Sequence, residues 1–293
     1  MEKLYKIALC QMMVTSDKKQ NLQRAAKAVE EAAQGGGRVV CLPEIWNSPY
    51  DVKLFGDYAE PADGPSTTLM SELAQKYGIY LIGGSIPEQA SDGDSDGNHN
   101  SDSDGNHNSN GDGDGNGDSN IRMYNTSFVF DPTGALIAKH RKVHLFDVDI
   151  ERGVRFKESD FFAPGENLTV FETCYGKMGL AVCFDLRFPD MFREMAKAGA
   201  HIVFLPASFN MTTGPAHWDT LIKSRALDSQ FYLAACAPAR NLGASYISWG
   251  HSCVASPWGE LCAAADAREQ IVYATIDIDY IKKIRQELPI GND

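Results

Sequence analysis

The stretch MGLAVCFDLRFPDMFREMAKAGAHIVFL, residues 178–205, decides the architecture. Met178 to Cys183 is an apolar run of strand length, Asp190 to Ala198 reads as a helix begun near Pro189, and His201 to Leu205 is a second apolar run. A strand, a helix and a strand in close succession are the repeating unit of an α/β fold. The same alternation continues outward. Upstream, Leu4 to Gln11 and Arg38 to Leu42 read as short buried strands. Between them Leu22, Ala25, Val29, Ala32 and Ala33 share one face of a helix, which Asp17 and Gln20 start and Gly35-Gly36-Gly37 stops. Ser66 to Tyr77 is predicted as a second helix and Ile79 to Ile86 as a strand. Tyr124 to Phe130 follows as a strand, and Pro132-Thr133-Gly134 turns it into Ala135 to Lys142. Downstream, His217 to Leu227 reads as a helix, Phe231 to Cys236 and Ser248 to Ala255 as strands, and Ile278 to Gln286 as a terminal helix. The expectation is one α/β domain over residues 1–293.

One segment breaks the pattern. Residues 90–120 contain only Ala, Ser, Asp, Gly, Asn and His, and the run SDGNHNS occurs twice, from Ser95 and from Ser103. Such a composition cannot bury enough apolar surface to offset its ordering entropy, so an inserted solvated loop is expected. Asp92-Gly93-Asp94-Ser95-Asp96-Gly97 matches the opening of a calcium loop, but position twelve is Ser103 where a bidentate Glu belongs, and no amphipathic helices flank it. His99 and His107 on this tether are expected to bind nothing.

The 293 residues are 43% apolar, enough to exclude a disordered or fibrous chain. The formal charge of −12 argues against a nucleic-acid or anionic-membrane surface. Residues 91–120 hold eight of the Asp and no Lys, Arg or Glu, so the remainder carries only −4. No apolar run reaches the roughly 18 residues of a membrane span, and MEKLYKIALCQM resembles no signal peptide. The seven Cys lack a C-x-x-C pair. Reduced thiols and a cytoplasmic location are expected.

In α/β sheets, working residues collect where strands end. Pro43 halts the strand Val39 to Leu42 and leaves Glu44 just beyond it; desolvation there raises the proton affinity of a carboxylate, which suits a general base. An ordinary surface Glu is the plainer alternative. Cys183 ends its strand beside Arg187 and a helix start, where a thiol is expected to have a depressed pKa. A buried structural Cys is the alternative, as for the other six. Lys139-His140-Arg141-Lys142-Val143-His144 ends a third strand, and a lysine there suits an oxyanion as well as it suits a solvated edge. No zinc spacing, phosphate loop or protease signature is present.

These segments resemble the nitrilase, or carbon–nitrogen hydrolase, superfamily, and within it the omega-amidase branch. The likeness rests on LPEIWNSPY at 42–50, GGSIPE at 83–88, KHRKVHLFDVDI at 139–150, GLAVCFDLRFPD at 179–190, PASFNMTTGPAHW at 206–218, and WGH with PWGE near the end. It implies an α-β-β-α sandwich and a catalytic Glu44, Lys142 and Cys183, with Glu158 as a second active-site glutamate. It also implies hydrolysis of small 2-oxo acid monoamides such as 2-oxoglutaramate and 2-oxosuccinamate, with no metal and no organic cofactor. Tyr50, Phe184, Arg187, Thr212 and Thr213 are the implied substrate-binding positions, and a homodimer the implied assembly. A sister branch cleaves deaminated glutathione. A binding protein on an inactive hydrolase fold is the alternative of another class, and the four intact residues argue against it.

Overall fold

Two devices seen in the sequence set the first helix. Asp17 Oδ1 accepts the amide N–H of Gln20 at 3.0 Å, and Gly35 returns its N–H to Glu31 O. A computed structural model describes residues 3–91, 121–151 and 153–290. The first half runs β1 (Leu4–Gln11), α1 (Lys18–Gln34), β2 (Val39–Cys41), α2 (Phe55–Tyr58), α3 (Pro65–Tyr77), β3 (Tyr80–Ile82), β4 (Ile86–Ser91), β5 (Ile121–Phe130) and β6 (Leu136–Arg141). A small hairpin, β7 (Asp147–Asp149) with β8 (Arg155–Lys157), leads into the second half. There β9 (Thr169–Thr173), β10 (Gly176–Leu180), α4 (Pro189–Lys197), β11 (Ile202–Pro206), α5 (Gly214–Ser229), β12 (Tyr232–Cys236), β13 (Cys253–Ala255), β14 (Leu261–Ala264), β15 (Gln270–Asp277) and α6 (Ile278–Glu287) follow.

The first sheet has the order β15-β1-β2-β3-β5-β4 with β6 also on β5, and the second β14-β13-β12-β11-β10-β9. In each, the central strands are parallel: β1-β2-β3 in one and β10-β11-β12 in the other. Strand alternation sorts the side chains. Ile7, Leu9, Val39 and Cys41 face Met178, Leu180, Ile202 and Phe204 between the sheets, whereas Ala8, Cys10, Val40 and Leu81 turn outward against α1 and α3. Val203, Leu205, Leu233 and Ala235 turn outward on the other side, against Phe192, Met195, Trp218 and Ile222 of α4 and α5. The result is the expected α-β-β-α sandwich.

Three expected strands differ from those observed. Ile79 to Ile86 is not continuous, because residues 83–85 leave the sheet to wrap the turn that carries Glu44. Gly84 has φ +63°, and a Cβ there would lie 2.1 Å from Pro43 O. Ser248 to Ala255 is strand only over β13, since Gly250 and His251 both have positive φ. Strand β10 ends at Leu180, so Cys183 opens a 3-10 turn, Cys183–Arg187, instead of closing a strand. The segment 92–120, with its calcium-loop match and its two histidines, lies outside the described residues. Ser91 and Ile121 on either side of it pair directly in the β4–β5 ladder. Among the described residues, no helix is long and apolar enough to cross a membrane.

Candidate active site

The parallel strands β2, β10 and β11 deliver Glu44, Cys183 and Ser208 just past their carboxyl ends, and β6 delivers Lys142. All four are buried: Glu44 is 1% exposed, Cys183 4%, Lys142 0% and Ser208 2%. Hydrogen bonds to residues 83–85 hold the Glu44 turn. Ser85 N donates to Pro43 O, Ile45 N to Ser85 Oγ at 3.1 Å, and Trp46 Nε1 to Gly83 O at 2.8 Å. Two backbones here are strained. Ile45, after Glu44, has φ +48°, and Cys183 has φ +47°, a left-handed conformation rare for residues with a Cβ.

At the centre, Lys142 Nζ donates to Glu44 Oε1 at 3.1 Å and to Glu158 Oε2 at 2.8 Å. Asn125 Nδ2 bridges the same carboxylates, at 3.0 Å from each. The other Glu44 oxygen accepts Ser208 N at 2.7 Å, and Glu158 Oε2 accepts Phe146 N at 2.6 Å. The Cys183 thiol is electrostatically linked to the Glu44 carboxylate, whose charge disfavours a thiolate there. Glu44 thus touches Lys142 and Asn125 directly and is coupled electrostatically to Cys183.

Burial dominates the electrostatics. It raises the proton affinity of Glu44 and outweighs the opposing pull of Lys142, as the position after an apolar strand led one to expect. For Lys142 burial alone would favour the neutral amine, but Glu158 and Glu44 reverse it, and the ammonium is held well above its ordinary pKa. The expectation for Cys183 is overturned. Burial and the adjacent Glu44 push the thiol up, against the counter-effect of Lys142, so the resting sulfur is protonated. The helix start and Arg187 do not compensate for the loss of water around it.

A cavity of about 290 Å³ opens beside Glu44 and Ser208, walled by Tyr50, Thr15, Asn241 and Tyr246. A smaller recess of about 10 Å³ holds Cys183 with Phe184, Arg187, Phe209 and Thr213. Ser208 and Tyr246 border both. Tyr246 donates to Ser208 O at 2.6 Å and stacks on Tyr50 with ring centroids 4.5 Å apart. Tyr50 in turn donates to Glu44 Oε1 at 3.3 Å. The Arg187 guanidinium lies over Phe184 and Phe209, and its hydrogen-bond contact is His217 Nδ1 at 3.3 Å. It makes no ion pair with a described residue.

Of the positions named from sequence, Glu44, Lys142, Cys183, Glu158, Tyr50, Phe184, Arg187 and Thr213 converge here. Thr212 does not. Asn210 Oδ1 draws in the amides of both Thr212 and Thr213, a turn that sends Thr213 into the recess and leaves Thr212 exposed outside both cavities. Three residues of the cluster and its cavities were not singled out from the sequence: Asn125, Ser208 and Tyr246. For Asn125 a signal existed, a polar amide inside the otherwise strand-like run Tyr124 to Phe130.

The chain matches the carbon-nitrogen hydrolase family over residues 6–286 and belongs to it. Omega-amidase NIT2 of Xenopus tropicalis is 44% identical over 286 residues, which cover 98% of this chain and 93% of that protein. Omega-amidase NIT2 of Homo sapiens is 42% identical over the same share of each. Among solved structures, Saccharomyces cerevisiae Nit3, a member of branch 10 of the nitrilase superfamily, superposes with a TM-score of 0.83 at 38% identity, covering 99% of this chain and 96% of its own. The C. elegans NitFhit protein superposes with a TM-score of 0.78 at 29% identity, covering 98% of this chain and 64% of its own. The protein is an enzyme of the hydrolase class.

Proposed function

We propose that the chain is an omega-amidase that releases ammonia from small 2-oxo acid monoamides through a Cys183 thioester. The observation that carries this reading is the buried cluster of Cys183, Glu44, Lys142 and Glu158, supported by the likeness to proteins named omega-amidases. The Cys183 proton passes to Glu44 as sulfur attacks the amide carbon. The Lys142 ammonium and the Phe184 amide N–H hold the oxyanion. Glu44 then protonates the nitrogen and ammonia leaves. Water attacks the thioester with Glu44 as base, which releases the acid and returns the proton to sulfur. Glu158 keeps Lys142 charged and in place. No step requires a metal or an organic cofactor.

The anionic end of 2-oxoglutaramate or 2-oxosuccinamate pairs with Arg187, a cation beside the nucleophile with no carboxylate partner among the described residues, and Thr213 adds a hydroxyl. The recess beside Cys183 has room for about one water, and Ser208 and Tyr246 stand between it and the larger cavity. A second reading, deaminated glutathione, is favoured by that cavity: about 290 Å³ of space lined mostly by uncharged groups suits a peptide tail. The same reading places the enzyme in the cytoplasm, which the seven free cysteines support, and as a homodimer, which light scattering tests.

Ammonia release from 2-oxoglutaramate, 2-oxosuccinamate, deaminated glutathione, glutamine and simple nitriles tests the assignment. The 2-oxo monoamides are expected to show the highest kcat/KM. A preference for deaminated glutathione moves the protein to the second reading, and equal rates with glutamine refute both.

A further inference from the structure

We propose that Asp185 is the positioning residue that sets the Cys183 nucleophile against the Lys142 ammonium, by tying the turn that carries one to the segment that carries the other. Its side chain is 0% exposed and accepts from both sides. From the nucleophile's side, Val182 N donates to Oδ2 at 2.9 Å, one residue before Cys183. From the lysine's side, His144 donates to Oδ1 twice, through its backbone N at 2.9 Å and its Nδ1 at 2.8 Å. His140 Nε2 lies 3.3 Å from Oδ2, and its Nδ1 lies 2.9 Å from Thr169 Oγ1. His140 lies in β6 and His144 in the bend that follows it, so the two flank Lys142 in sequence.

The clamp has a task to perform. Cys183 sits in a left-handed conformation that a Cβ-bearing residue holds only when its surroundings fix it. Asp185 N also donates to Val182 O, so the carboxylate and its own amide grip the residue before the nucleophile from both sides. Burial alone would raise the proton affinity of Asp185. The bonds from His140, His144 and Val182 reverse this and hold it as an anion below the usual carboxylate range. Four N–H groups converging on two oxygens leave no place for a hydrogen on either oxygen. An asparagine at this position would set its NH₂ against the donors of one flank or the other, and the shape of the site would survive while its register did not.

The inference rests on Cys183 and Lys142 having the roles proposed above. Three variants test it by kcat and KM for the preferred monoamide and by the rate of Cys183 alkylation with iodoacetamide, each on protein shown to be folded by near-UV circular dichroism. Asp185→Asn is expected to lower kcat about 100-fold with KM within about threefold, and to slow alkylation, since small misplacements of reacting groups cost rates of this order. His144→Leu, at a side chain only 28% exposed, is expected to lower kcat at least about tenfold, and His144→Asn, which restores a donor near Nδ1, to recover most of that loss. A folded Asp185→Asn or His144→Leu with wild-type kcat and alkylation overturns the proposal, as does equal loss in both His144 variants. Where Asp185→Asn does not fold, the His144 pair decides alone. Turnover surviving in Cys183→Ala would overturn the site's reading itself, a separate outcome.

Discussion

Replacing Lys142 with Met probes stability and chemistry together. The ammonium is wholly buried, 3.1 Å from Glu44 and 2.8 Å from Glu158, and both carboxylates share Asn125. Without it, two buried carboxylates face each other with no cation between them. Breaking a buried pair in this way costs about 3–5 kcal/mol. A 293-residue chain unfolds with an entropy near 0.6 kcal/mol/K, so the melting temperature is expected to fall by about 5–8 °C. The penalty is pH-dependent. In the variant the folded-state pKa of the pair is raised above its unfolded value, so stability is present at low pH and lost as pH rises through the raised pKa. The melting deficit is therefore larger at pH 8 than at pH 5.5. Activity is expected to fall about 100- to 1,000-fold through loss of an oxyanion donor. Adding Glu158→Gln removes one of the two charges and recovers much of the melting temperature but none of the rate. Differential scanning calorimetry at the two pH values, with ammonia-release kinetics, reads all of this. A single variant melting within 1 °C of wild type at pH 8, or a double variant no more stable than the single, would refute the reasoning.

Two further outcomes follow from other parts of the molecule. His201 Nε2 accepts the Tyr5 hydroxyl at 2.5 Å between the sheets, and burial lowers its pKa to about 4 from 6.5. The unfolded chain thus binds the proton first, and wild type is expected to lose about 3 kcal/mol more than His201→Gln as pH falls from 6.5 to 4; parallel urea-denaturation profiles for the two would contradict this. Ser91 and Ile121 are directly paired, so replacing residues 92–120 by Asn-Gly, a two-residue hairpin turn, is expected to preserve kcat and melting temperature. A loss of either, measured by the same two assays, would give the replaced segment a role.

The α/β alternation was legible because both sheets have parallel centres whose strands, buried on both faces, read as short apolar runs. Glu44 and Cys183 stood out in the sequence as polar groups just past such runs, and the structure brings the two together. Lys142 stood out only as part of a basic segment, and Glu158 only through family likeness, since nothing local distinguishes it from Asp160. What the sequence hid was tertiary. The elevated Cys183 proton affinity depends on Glu44, 139 residues away, and on burial that no local pattern reports. Asp185 looks like any residue of a polar turn until His140 and His144 are brought to it. The strand break at residues 83–85 is set by the close approach of Pro43 to Gly84, a contact between separate loops. Strand β15 was missed despite a period-two signal, Val272, Ala274 and Ile276 inward against Tyr273 and Thr275 outward.

The central claim is that ammonia leaves through an acyl group carried on Cys183. Mixing enzyme with excess 2-oxoglutaramate, quenching in acid within milliseconds and mapping peptides by mass spectrometry tests it most directly. The account predicts the acyl mass on the peptide containing Cys183 alone, with a burst of about one ammonia per site before steady turnover. Ammonia release without any adduct, or an adduct on another of the seven cysteines, would contradict it.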